Sequence, residues 1–157
     1  MANIGWKKII ETQIVLYYKN NGRLIRSRAK NEKGYQNIIE LSSKSYLSNS
    51  SLNLPNCHFD DLLKYNENII VLSGSISGLI GKLFDQGKNI EIENIYKKLK
   101  DTFKNNFYIE IQRHGDQNEK YFELFNLTLS KKLMITIIAS NEVYYLDKDM
   151  HDAHDAL

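Results

Sequence analysis

Three runs of strand character in the later half of this chain are separated by segments with helical spacing, and that alternation limits the possible folds more than any other feature of the sequence. Residues 69–72 (Ile-Ile-Val-Leu) are wholly apolar, Phe107, Ile109 and Ile111 alternate with Tyr108 and Glu110, and residues 133–138 form another apolar stretch. Residues 76–84, 90–103 and 119–129 carry apolar side chains at helical intervals. Strands separated by helices imply parallel pairing, so the expected fold class is α/β, as a layered sheet or a barrel. In such folds the sites lie at the carboxyl ends of the strands. Here those ends are Ser73-Gly74-Ser75, Arg113-His114-Gly115 and Ser140-Asn141-Glu142.

The earlier half reads differently. Residues 12–18 are rich in β-branched and aromatic residues, Asn20-Asn21-Gly22 is a turn signal, and residues 23–28 pair back as a hairpin. Asn31 has the character of a helix cap. Tyr35, Ile38, Ile39 and Tyr46 follow as an apolar stripe, with Leu41 and Leu47 beside it. The only proline, Pro55, sits in a polar stretch over 48–57 that reads as a loop, and 148–157 reads as the start of a last helix. With no repeat and no linker-like stretch, residues 1–157 form one domain. The content is 42% hydrophobic and 25% charged, which excludes disordered and collagen-like chains. A net charge of +2 does not announce a nucleic-acid binder. Cys57 is the single cysteine, so an internal disulfide is excluded and a thiolate zinc cluster lacks ligands. No signal-peptide core and no apolar run of membrane-spanning length are present, which makes a cytoplasmic protein the expectation.

Each candidate for chemistry has a plainer reading beside it. Residues 73–78 (Ser-Gly-Ser-Ile-Ser-Gly) follow a strand and open a helix, where amides cradle anions, yet they match neither the P-loop nor the dinucleotide fingerprint. They read as a tight strand-to-helix turn. His114 is the most informative single residue, an imidazole beside Arg113 at a strand's carboxyl end. His151 and His154 share a helical face among Asp147, Asp149, Asp152 and Asp155, but a solvated acidic face at the chain end accounts for them. Cys57 and His58 fall in the Pro55 loop with no assigned chemistry. Lys97, Lys98, Lys100 and Lys104 read as an ordinary helix surface, and Glu91 and Glu93 lack a catalytic neighbour.

Taken in order, several of these segments resemble one family. They are residues 29–37 (Ala-Lys-Asn-Glu-Lys-Gly-Tyr-Gln-Asn), 43–47 (Ser-Lys-Ser-Tyr-Leu), 69–74 (Ile-Ile-Val-Leu-Ser-Gly) and 107–115 (Phe-Tyr-Ile-Glu-Ile-Gln-Arg-His-Gly). The series closes with 139–146 (Ala-Ser-Asn-Glu-Val-Tyr-Tyr-Leu) and 151–157 (His-Asp-Ala-His-Asp-Ala-Leu). Together they resemble the PHP (polymerase and histidinol phosphatase) domain of bacterial DNA polymerase III alpha subunits, most of all the alphaproteobacterial type. The resemblance runs from about Gly5 to Leu157 and implies a partial, distorted (α/β)7 barrel. The family's upstream His-x-His and Asp-His motifs and its downstream polymerase core have no counterpart here, so the chain is expected to be the C-terminal two-thirds of a PHP domain.

The resemblance also carries expectations about function. PHP domains hold up to three metal ions with phosphoesterase or proofreading activity. At the corresponding positions Gln13 stands for Glu, Ser75 for Cys, Glu142 for Asp and Tyr144 for His, and His114 alone keeps its ligand type. A neutral amide, a hydroxyl and a phenol are weak substitutes for carboxylate, thiolate and imidazole, so no metal and no catalytic residue are expected in this chain. Mg²⁺ belongs to the full-length family. The expected role is structural, within a replicative DNA polymerase. Its partners would be the remainder of the alpha subunit and the proofreading exonuclease subunit, with DNA met only through the full-length protein and no membrane. The alternative is a stand-alone, metal-dependent phosphoesterase of the PHP superfamily. Lys8 and Glu11 depart from the family's usual Pro and Gly. Arg26 and Arg28 interrupt an apolar strand, a costly placement away from a sheet edge that reads as relaxed constraint.

Overall fold

The computed structural model describes residues 11–18, 21–47, 56–141, 146–150 and 152. The strands are β1 (Glu11–Tyr18), β2 (Asn21–Ala29), β3 (Cys57–His58), β4 (Ile69–Leu72), β5 (Phe107–Ile111) and β6 (Ile137–Ala139). The helices are α1 (Glu32–Leu47), α2 (Phe59–Lys64), α3 (Leu79–Asp85), α4 (Asn89–Phe103) and α5 (Glu119–Leu133). The six strands form one sheet in the order β3-β1-β2-β4-β5-β6. The pairs β4–β5 and β5–β6 are parallel, as the alternation of strands and helices requires. The pairs β1–β2 and β2–β4 are antiparallel, and β3 runs parallel to β1. Among the described residues the sheet is open, with β3 and β6 at its edges.

Register divides the sheet into two faces. Ile25, Ile69, Val71, Phe107 and Ile109 share a core with Ile38 and Leu41 of α1, Leu83 of α3, Ile92, Ile95, Tyr96 and Leu99 of α4, and Phe122 of α5. Residues that alternate with them, including Arg26, Leu72 and Glu110, belong to the opposite face. Helix α4 shows why these residues fold as they do. Ile92, Ile95, Tyr96, Leu99 and Phe103 recur every three or four positions, all are buried, and Tyr96 packs edge-on against Phe107 with ring centres 5.6 Å apart.

Helix α1 begins as its sequence directs: the Asn31 side-chain oxygen accepts the Gly34 N–H at 3.1 Å. Gly34 is fixed by close approach, because a Cβ there would lie 2.0 Å from the Asn68 carbonyl oxygen. The buried stripe of α1 is Gly34, Ile38, Leu41 and Ser45, whereas Ile39, Tyr46 and Leu47 are exposed. The apolar stripe expected through Ile39 and Tyr46 is therefore rotated, since small and polar residues occupy inward positions. The tail of the Pro55 loop is corrected as well, since Cys57 and His58 form β3 and lead directly into α2. Asn21 and Gly22 belong to β2 rather than to a turn. The last strand starts later than its apolar run, at Ile137, because Leu133 ends α5 and Met134 caps it. A 3-10 turn spans Lys148–Met150, and most of the expected last helix lies outside the described residues. No described helix is long and apolar enough to cross a membrane.

Candidate functional site

The carboxyl ends of β4, β5 and β6 converge on a polar cluster. After β4, Ser73 is fully buried, and its Oγ accepts the Glu110 N–H from β5 at 2.9 Å. Ser75 Oγ and Ser77 Oγ lie 2.8 Å apart, and the Ser75 carbonyl accepts the Gly78 N–H at the start of α3. This loop turns tightly against its own helix, and a Cβ on Gly81 would meet the Ile76 carbonyl oxygen at 1.8 Å. The strand-to-helix turn reading holds for this loop.

At the end of β5 the alternating pattern sends Glu110 to the face opposite the helices. Its carboxylate is fully enclosed, and Oε1 accepts hydrogen bonds from Arg26 Nη1 (3.2 Å), Gln112 Nε2 (3.1 Å) and Ser140 Oγ. Since the Gln112 amide nitrogen donates to Glu110, its Oε1 is an acceptor. His114 Nε2, 3.1 Å from that oxygen, is then the donor. The network thus runs from β2 through β5 to His114, with Ser140 joining from just beyond the end of β6. It also accounts for Arg26, one of the two arginines that interrupt the strand. β2 lies inside the sheet, not at an edge, and the Arg26 charge that reads as an anomaly is buried against Glu110.

The loop after β5 is held by a second carboxylate. Glu119, the first residue of α5, accepts the His114 and Gly115 N–H groups at 2.8–3.0 Å, with Gly115 in the left-handed region at φ 86°. Arg113 turns outward to grip Glu123 through two hydrogen bonds of 3.0 and 2.7 Å. That contact first, and its charge second, raises the Arg113 guanidinium and lowers the Glu123 carboxyl from their ordinary ranges. A 640 Å³ cleft lies alongside, walled by Ile111, Leu127, Ile137 and Ala139, with this neutralised pair at its rim.

Of the five expected ligand positions, Ser75 and His114 stand at the ends of neighbouring parallel strands. Gln13 lies opposite Arg26 in the β1–β2 register. Glu142 and Tyr144 lie outside the described residues, as do His151 and His154. The metal ions implied by the resemblance do not fit this donor set. The amide, hydroxyl and phenol at Gln13, Ser75 and Tyr144 replace stronger ligands, Ser75 is engaged with Ser77, and His114 is exposed and bonded to Gln112. No group of three or more His, Cys, Asp or Glu among the described residues is placed to hold a metal. Arg26 and Arg28, two positions apart in β2, both place positive charge on this face.

Sequence reasoning passed over Arg26, Glu110, Gln112, Glu119 and Ser140 as a site. The available signal was an unexplained arginine in β2 and a glutamate at an alternating position of β5, two strands of one sheet. The plainer readings elsewhere agree with the structure. Lys97 and Lys132 both pair with Glu93 at 2.8 Å, and Lys98 pairs with Asp60 while lying over the Phe59 ring. Cys57 is buried, and that burial, reinforced by the Asp61 charge, pushes its thiol up to about 12, away from nucleophilic chemistry.

The chain is similar to known proteins over most of its length. The model of the PHP domain matches residues 7–114. DNA polymerase III subunit alpha of Rickettsia bellii is 36% identical over 129 residues, 82% of this chain and 11% of that protein. The Caulobacter vibrioides subunit is 34% identical over the same shares, and that of Vibrio cholerae 30% identical over 98% of this chain and 14% of its own length. The chain thus spans between a tenth and a seventh of the length of these relatives. With the domain match extending over β1 to the His114 loop, and alpha subunits aligning across most of its length, the chain belongs to the PHP domain family.

Proposed function

We propose that this chain is the PHP region of a replicative DNA polymerase III alpha subunit and that its role is architectural. The observation that carries this reading is the alignment with alpha subunits over 82% of the chain, combined with a site whose buried cation is an arginine side chain. A structural region needs a rigid sheet and a surface for its neighbours, and it supplies no reacting group. The neighbours in this reading are the remainder of the alpha subunit and the proofreading exonuclease subunit. DNA is met through the full-length protein in the cytoplasm, and the Mg²⁺ of polymerisation is held elsewhere in that protein. The open sheet belongs, in this reading, to a distorted seven-stranded barrel in the complete domain.

The test is calorimetric titration of the purified chain with the exonuclease subunit encoded in the same genome, beside a phosphomonoesterase assay in Mn²⁺ and Zn²⁺. Saturable binding without hydrolysis is the expected outcome. Absence of binding overturns the docking role, and hydrolysis that disappears in His114→Ala establishes the stand-alone phosphoesterase instead.

A further inference from the structure

We propose that Arg26 is a built-in cation of the sheet, whose pairing with Glu110 fastens β2 to β5 across β4 on the face opposite the helices. This deepens the architectural reading and rests on it. β4 lies between β2 and β5, and the register aligns Arg26 with Leu72 and Leu72 with Tyr108, two residues before Glu110. The side chain therefore reaches over a whole strand to a carboxylate 84 positions away in sequence. The Arg26 side chain is 10% exposed and that of Glu110 is not exposed at all, so both charges have left water.

The surroundings fit a permanent internal cation. Glu110 Oε1 gathers donors from three strands or strand ends, Arg26, Gln112 and Ser140, so the carboxylate is a junction rather than the end of a single bridge. Oε2 is buried with no hydrogen-bond partner among the described residues, which leaves the carboxylate dependent on the charge beside it. Gln13, the amide at a position where the resemblance implies a metal-binding Glu, stands directly opposite Arg26 in register. A guanidinium is fixed to the chain, needs no uptake from solution, and offers several donors in one plane. Removing one member of a buried pair costs much more than replacing both by neutral groups of similar size.

The experiment is thermal unfolding of the full chain and its variants, in EDTA, in Mn²⁺, and in dilute, non-denaturing guanidinium chloride against matched NaCl. Wild-type Tm should be unchanged by EDTA or Mn²⁺ and should fall slightly in guanidinium chloride relative to NaCl. Arg26→Ala should lower Tm by about 10 °C, and guanidinium, but not Na⁺, should restore part of that loss by filling the vacated position. Arg26→Met/Glu110→Gln should melt above Arg26→Met, which keeps the measurement decisive even if Arg26→Ala fails to fold. The proposal is overturned if Mn²⁺ stabilises the wild type, if guanidinium has no specific effect on a folded Arg26→Ala, or if the double variant melts below the single one. None of these results depends on binding to an exonuclease subunit, so failure here and failure of the docking role are distinguishable.

Discussion

Asp61 shows how one side chain joins two elements. It accepts Lys44 Nζ from α1 at 2.5 Å and the His58 N–H at 3.2 Å, so it caps α2 and ties it to α1. Burial alone would push its carboxyl up. The Lys44 and His58 hydrogen bonds outweigh burial and hold it below its ordinary 3.8. A depressed carboxyl stabilises the fold above its unfolded value, and that contribution disappears as pH falls through the folded one. Asp61→Asn should therefore cost about 1–2 kcal/mol at neutral pH, with the gap from wild type closing below pH 3.8 in urea titrations. A gap that persists at low pH would assign the effect to packing. The same logic separates what could be read from the candidate site. His114 stood out because an imidazole at a strand end is conspicuous. Arg26 stood out only as a misplaced charge, and Glu110 passed as an ordinary polar position of an alternating strand, because only the fold brings the pair together.

At the level of elements, helix α5 ends on a residue that pays a conformational cost. Met134 has φ 52° and ψ 49°, its N–H bonds to the Ser130 carbonyl, and its side chain is 83% exposed. A side-chain-bearing residue in this left-handed conformation is disfavoured by about 1 kcal/mol, and burial returns nothing here. Met134→Gly should raise stability by about 1 kcal/mol, or about 3 °C in Tm; an unchanged or lower Tm would show that the cap is not strained. Elements with strong periodicity were legible in advance. β4, β5 and α4 fall within a residue of their sequence limits, because apolar stripes bury against one another. β3 and α2 were not legible. A strand of two residues carries no period, and the six residues of α2 complete less than two turns. β6 was misjudged at its start because the apolar run from Leu133 to Ile138 continues across a helix end, a turn and a strand.

Over the whole molecule, a core shared by α1, α3, α4 and α5 stabilises one face of the sheet, while a polar network centred on Glu110 occupies the other. Nothing in that network supplies the paired carboxylates that hold two Mg²⁺ ions for nucleotidyl transfer. A net charge of +2 also gives little long-range attraction for a phosphate backbone. The architectural role proposed for this chain assigns it no reaction of its own. The most direct measurement is turnover by the purified chain: primer extension and release from an end-labelled 3′ terminus, with Mg²⁺, Mn²⁺ or Zn²⁺, beside His114→Ala. The account predicts no extension and no degradation with any of the three ions. Turnover that vanishes in His114→Ala would contradict it, because the strand-end site would then be catalytic.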